Sequence, residues 1–223
     1  MERIILIETS TALCSVALAE DGKVTAYRES SAPKAHASLT AVFVQEVLEE
    51  RGVKLADCDA VCVSKGPGSY TGLRVGVSTA KGLCFGSGKP LVAVGTLDTL
   101  VAQAGDVAGI VIPMIDARRM EVYSAVFENG TQITETTPVI VDENSFAEYL
   151  EQGQVLFIGD GAGKCADVIK HPNAHFCQCN PKASAMLQPA VAAYRAQQFE
   201  DVAYFEPFYL KEFVATVSKK KLF

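Results

Sequence analysis

The chain has 223 residues, 49% of them hydrophobic and 21% charged, with a net charge of −6. That length is enough for one large domain or two small ones with a sizeable core. The acidic balance argues against a stand-alone binder of nucleic acid, because neutralising phosphates takes clustered Lys and Arg. In chain order, Ile4 to Ile7 predicts a buried strand and Cys14 to Ala19 a second. Glu20-Asp21-Gly22 marks a hairpin turn, and Lys23 to Glu29 a third strand. Leu39, Val42, Phe43, Val47 and Leu48 recur at helical spacing, which predicts a helix over Lys34 to Arg51 stopped by Gly52. Asp59 to Ser64 reads as a strand, and the glycine-rich stretch SKGPGSYTGLRVG follows at Ser64 to Gly76. It leads into a helix from about Gly72 to Phe85, then a strand at Leu91 to Val94 and a helix at Thr96 to Gln103.

Near Gly105 the pattern restarts. Ile110 to Ile115 and Glu121 to Phe127 predict strands, with Glu128-Asn129-Gly130 as the turn. ETSTALCSVALAEDG at Glu8 to Gly22 and DARRMEVYSAVFENG at Asp116 to Gly130 are equal in length. Each opens with an acid after an apolar strand and ends on a turn residue and Gly; Val16 and Leu18 align with Ser124 and Val126. Two hairpins of any origin share some of this, yet the common acid points to an internal repeat. The expected division is 1–104 and 105–223, with a last helix near 208–220 that packs back on the first half. Strands mixed with crossover helices imply an α/β protein with mixed sheets. Acid-ended first strands in two facing halves give the layout of the actin, Hsp70 and sugar-kinase class. There the acids face a metal-nucleotide and glycine turns hold its phosphates.

No apolar stretch approaches the ~20 residues of a membrane helix, and the run Ile4 to Ile7 is too short for a secretory signal. Seven cysteines without disulfide-framework spacing read as reduced thiols of a cytoplasmic protein. Lys219 to Lys221 reads as a solvated end.

The nucleotide motifs fail in detail. In the stretch ending GDGAGKC, Ile158 stands where a P-loop requires its first Gly, and Cys165 replaces the hydroxyl. GSGKP puts Pro90 after the Lys. VLFIGDGAGK keeps a strand–turn–helix shape, so Gly159 and Gly161 serve equally an anion site or a tight connection. HPNAHFCQC offers His171, His175, Cys177 and Cys179 as zinc-type ligands. Pro172 and Asn173 break the helix that a His pair needs, and Ala174 to Cys179 reads as a surface strand. His36 pairs with no nucleophile by spacing, and no G-x-S-x-G elbow exists.

Gly72, Gly76, Ala80 and Cys84 form one small-residue stripe on a helix. Each interior Gly costs roughly 1 kcal/mol against Ala, so close approach of another backbone is expected there. The stripe fits packing on the protein's own sheet or an interface with another chain.

These segments resemble the TsaB (YeaZ) family. IETSTALCSVAL is similar to its DTSTEACSVAL opening, KGPGSYTGLRVG to its GPGSFTGLRIG signature, IDARRMEVYSAVF to its IDARMGEVYWAxY segment, and EPFYLKEFVA to its EPxYLR ending. The resemblance spans most of the chain and implies the two-subdomain actin/Hsp70-like (ASKHA) fold. It implies a non-catalytic accessory subunit that binds and supports TsaD, which carries the metal and transferase chemistry, with the TsaE ATPase joining. It implies no catalytic residue and no metal site here, a homodimer when alone, and no cofactor held by this chain by itself. ATP, ADP or magnesium would then sit only at a partner junction, with Glu8, Gly159 and Gly161 as the candidates for contact. Partner-binding residues carried over on the first long helix are His36, Leu39, Thr40 and Phe43. On the second they are Gly72, Val75, Gly76, Thr79, Ala80 and Leu83. One departure is Glu8, where the family has Asp; the extra methylene would misplace a magnesium ligand. An active ATP-dependent phosphotransferase of the same fold, with Glu8 and Asp116 at magnesium, is the alternative. A metallopeptidase lacks its His pair.

Overall fold

A computed structural model describes residues 1–211. The first half begins with β1 (Arg3–Glu8), β2 (Cys14–Glu20) and β3 (Lys23–Ser30), an antiparallel meander. Asp21 and Gly22 take φ of 47° and 74°, the geometry that a two-residue hairpin turn demands. Next come α1 (Ala35–Arg51), β4 (Ala60–Gly66), α2 (Tyr70–Ser87), β5 (Leu91–Gly95) and α3 (Thr96–Ala104). Gly52 ends α1 in the left-handed region, as its position in the sequence predicts.

The second half runs β6 (Ile110–Asp116), β7 (Glu121–Ser124), β8 (Phe127–Glu128), β9 (Thr131–Gln132), β10 (Thr137–Ile140), α4 (Ala147–Leu150), β11 (Val155–Gly159), α5 (Ala162–Cys165) and β12 (Ala174–Gln178). Two further elements follow, α6 (Leu187–Arg195) and β13 (Phe199–Glu200).

The two sheets repeat one plan. The first is ordered β13-β5-β4-β1-β2-β3 and the second β10-β7-β6-β11-β12. In each, the opening strand is central, two strands fold back antiparallel on one side (β2 and β3 in the first, β7 and β10 in the second, where β8 and β9 form an added hairpin on β6), and two parallel strands add on the other. The repeat read from the sequence is therefore real, but its alignment needs correction. Glu8 lies opposite Ser15, whereas Asp116 lies opposite Val122. The second connection is one residue shorter, so the match of Val16 with Ser124 slips by one.

The expected single strand from Glu121 to Phe127 is also divided. β7 and β8 face β6 in one continuous register, with the break opposite Pro113. Proline has no N–H to give to the ladder. Ser124 Oγ instead donates to the Pro113 carbonyl at 2.8 Å, and the Val126 N–H turns to Thr134 Oγ1.

Each sheet is buried on both faces. α1 and α2 cover one face of the first through Phe43, Val47, Leu48, Val77, Ala80 and Cys84. The other face, with Ile4, Leu6, Val92 and Val94, is covered by Ala183, Met186, Ala190 and Val191. The chain thus returns to the first half at residue 183, well before the expected point near 208. β13 then extends the first sheet beyond β5. Pro189 sits in the first turn of α6, where no backbone N–H is required for the helix ladder. α3 lies between the two sheets and packs Leu97, Leu100 and Val101 on Val111, Ile115 and Ile158. Of the helix expected at 208–220, residues 208–211 are not helical and the remainder lies outside the described residues, as does the Lys219 to Lys221 run. No helix among the described residues is long and apolar enough to cross a membrane.

Candidate functional site

The loop between β4 and α2, Pro67 to Ser69, closes on the loop after β1. The Ser69 N–H donates to the Ser10 carbonyl at 2.6 Å. A Cβ on Gly68 would meet that carbonyl at under 3.0 Å, and one on Gly72 would meet the Thr9 carbonyl as closely. A Cβ on Gly76 would strike Thr9 Oγ1, which donates to the Gly72 carbonyl at 2.9 Å. The glycines therefore let two backbones of the same chain touch.

That contact sets the small-residue stripe against the chain's own loop after β1. Gly72, Gly76 and Ala80 are buried inside the first half. Thr40 and Phe43 are buried as well. Thr40 Oγ1 donates to the His36 carbonyl and lies 3.4 Å from Cys14 Sγ. His36 is half-buried, with Nε2 at 2.8 Å from the Thr11 carbonyl, which ties α1 to the same loop. Leu39, Val75, Thr79 and Leu83 are half-buried at the seam where α1 and α2 run side by side.

The outer face consists of other residues. On α1 it exposes Ala37, Ala41 and Val42. On α2 it exposes Arg74, Ser78, Gly82 and Gly86 at four-residue intervals, and Phe85 with 87% of its surface free. None of the described residues lies within 4 Å of a Cβ placed on Gly82 or Gly86. α2 thus carries small residues on two faces, one closed by Thr9 and one open. The sequence signal was present: a stripe at 72, 76, 80 and 84 leaves 74, 78, 82 and 86 roughly opposite.

A groove of about 410 Å³ runs between α2 and residues 205–209, walled by Tyr70, Arg74, Lys81 and Tyr209. Lys81 Nζ donates to the Ala203 and Phe205 carbonyls at 3.0 Å, and the Phe208 N–H donates to the Lys65 carbonyl at 2.7 Å. The segment straps α2 and the glycine loop to the end of the described chain.

The two acids that define the fold class part company. Glu8 is fully buried. Its Oε1 accepts from the Ser10 N–H at 2.7 Å and from Ser64 Oγ at 2.8 Å, while Oε2 has no partner among the described residues. Burial pushes its pKa up, against the opposing pull of the hydrogen bonds from Ser10 and Ser64. Asp116 is exposed, and its Oδ1 is taken by Lys164 Nζ at 2.6 Å and the Arg118 N–H at 2.7 Å. Asp160 accepts from the Asp116 N–H at 2.9 Å, and its carboxyl is pushed up to about 6, chiefly by burial. This donor set does not fit a magnesium-nucleotide held by this chain alone: one carboxylate is sealed in and the other is ion-paired.

Gly159 and Gly161 pack against the Met114 carbonyl. α5, which follows them, has four residues, so the turn is a tight connection rather than the mouth of a long helix. His175, Cys177 and Cys179 fall on one side of edge strand β12 and its extension, as the sequence predicts. Among the described residues no three His, Cys, Asp or Glu side chains gather to hold a metal ion.

The state of Glu8 gives a pH-dependent expectation. A carboxyl whose folded pKa lies above its unfolded value supports the fold fully below the unfolded value, and that support is lost as pH rises through the folded value. Glu8→Gln cannot ionise. Its melting temperature, measured against wild type, is expected to gain steadily as pH climbs above about 4.5, the ordinary carboxyl value. A constant difference over the whole range refutes a buried, strained carboxyl.

The fold, the hairpin loop clamped on the glycine loop and the occupied acids now stand beside known proteins. The family described as TsaD, tRNA N6-adenosine threonylcarbamoyltransferase, matches residues 29–218. The tRNA threonylcarbamoyladenosine biosynthesis protein TsaB of Escherichia coli is 34% identical over 96% of both chains. The chain belongs to the TsaB (YeaZ) family. The Bacillus subtilis TsaB is 33% identical over 70% of each chain. The crystal structure of YeaZ from Pseudomonas aeruginosa superposes with a TM-score of 0.81 at 28% identity, covering 94% of this chain and all of that one. The doubled sheet plan is accordingly that of the actin/Hsp70-like fold, and TsaB homologues are named for tRNA threonylcarbamoyladenosine biosynthesis.

Proposed function

We propose that this chain is a non-catalytic subunit that binds and supports TsaD, with TsaE, in threonylcarbamoylation of the adenosine beside the tRNA anticodon. The observation that carries this reading is the sealed Glu8: its bonded oxygen serves Ser10 and Ser64, and no open carboxylate is left at the end of β1. A phosphotransferase of this fold would need that oxygen at its metal. The outer face of α1 and α2, with Val42, Ser78, Gly82 and Phe85, is the surface offered to TsaD, or to a second copy when the chain is alone. Any nucleotide or magnesium ion belongs to the junction with the partner. The net charge of −6 leaves tRNA contact to other subunits, and the working compartment is the cytoplasm.

Mixing the purified chain with TsaD and resolving the mixture by sizing chromatography tests the proposal. A co-eluting complex is expected at low and moderate salt. Absence of any complex in every salt condition sinks the subunit reading. Steady ATP turnover by the chain alone, lost in Glu8→Ala, installs the phosphotransferase in its place.

A further inference from the structure

One motif is left without a task by this reading: Cys177 and Cys179 on the edge of the second sheet. The other five cysteines are buried, whereas Cys177 is exposed and Cys179 half-exposed. Among the described residues, β12 is the last strand of its sheet and pairs with β11 alone, so its outer rim carries no further strand. The Cys179 N–H donates to the Gly159 carbonyl, which continues the ladder past the end of β12. The two thiols therefore stand two residues apart on one extended segment, on the same face. Phe176, between His175 and Cys177, points the opposite way and stacks on Phe157 at 4.9 Å. Gln103 of α3 fixes the segment from the first half: its Nε2 donates to the Asn180 carbonyl at 3.0 Å, and its Oε1 accepts from the Lys182 N–H at 3.1 Å.

This geometry decides what the pair can hold. Residues two apart on a strand are about 6.6 Å apart along it. A disulfide needs its Cβ atoms at about 3.8 Å and a single S–S bond of about 2.05 Å. Closing one here would tear the segment from β11 and from Gln103. Two metal–sulfur bonds of ~2.3 Å each, set end to end, hold two sulfurs about 4.6 Å apart, a separation that rotation of the two side chains supplies without moving the backbone. Zinc would need further ligands, and none of the required types gathers there among the described residues. A soft cation content with two thiolates needs no more than the pair supplies.

We propose that Cys177 and Cys179 form a two-coordinate thiolate site for a soft monovalent cation of the copper(I) class. On binding, two S–H bonds break, two metal–sulfur bonds form, and two protons pass to solvent; no electron moves. The site lies on the second half, on the open rim of β12, away from the α1 and α2 face.

The test uses the full chain, reduced and anaerobic, titrated against copper(I) held by a coloured chelator, with native mass spectrometry as the second readout. Wild type is expected to withdraw one copper ion per chain and to gain, in charge-corrected mass, one monovalent metal ion less one proton. Cys177→Ser and Cys179→Ser are each expected to lose that uptake while keeping the wild-type melting temperature, and Cys165→Ser to retain it. No withdrawal by wild type overturns the proposal, as does full uptake by both single variants. Mild thiol oxidation is the second arm: the native chain is expected to form no Cys177–Cys179 crosslink. A loss of two mass units mapped to that peptide overturns the geometric argument.

Discussion

Gly72→Ala and Gly76→Leu are expected to lower the melting temperature by about 6–12 °C. Overpacking of about 3 kcal/mol, in a chain of this size where each kcal/mol shifts the midpoint by roughly 2–4 °C, gives that figure. The new Cβ of Gly72→Ala falls on the Thr9 carbonyl, a backbone atom that cannot rotate away. At Gly76 the incoming side chain displaces Thr9 Oγ1 and breaks its bond to the Gly72 carbonyl. Gly82→Ala is the internal control. It faces open space, so helix propensity alone acts, and a gain of up to about 1 kcal/mol is expected. Circular dichroism melts of the three variants settle the matter. A wild-type melt for Gly76→Leu would show that the stripe does not close on its own chain.

The second large effect falls on assembly rather than stability. Phe85→Glu and Gly82→Arg are expected to weaken the proposed complex with TsaD, and the proposed homodimer, by at least about 30-fold, the loss of a contact worth roughly 2 kcal/mol or more. Phe85 has 87% of its surface free, and Gly82 has no neighbour among the described residues within 4 Å of its added Cβ. Neither change touches the core: Phe85→Glu is expected to keep its stability within a few tenths of a kcal/mol of wild type, and Gly82→Arg to gain what Gly82→Ala gains from helix propensity. Titration calorimetry of folded variants reads the affinity directly. Unchanged binding by both variants moves the interface off this face.

The elements of the first half were legible because each signal was local. Asp21-Gly22 announced its hairpin, Gly52 its helix end, and the spacing of Phe43, Val47 and Leu48 its buried face. What sequence could not supply was the identity of the neighbour. Periodicity places Gly72, Gly76 and Ala80 on one side of α2 but is silent on which side faces inward. The answer lies with Thr9, more than 60 residues earlier in the chain. Glu8 follows the same logic. An acid at a strand end fits an open cleft or a sealed pocket equally, and the deciding atom is the Ser64 hydroxyl on the adjacent strand. The split between β7 and β8 hides in Pro113, a residue on their partner rather than on the strand itself. α6 escaped because Pro189 reads as a breaker in sequence, yet a first-turn position tolerates it.

The late return of the chain to its first sheet has a bearing on how the protein is made. Synthesis delivers the N-terminal half first, but Ile4, Leu6, Val92 and Val94 meet their cover only when residues 183–195 arrive. The strand that borders β5 arrives later still, at Phe199–Glu200. A nascent chain halted after α3 therefore presents a sheet with one apolar face bare and one border unpaired, the kind of surface that chaperones bind and that aggregates grow from. The first half can begin to collapse on the ribosome, but its folding is completed only as the last part of the chain emerges.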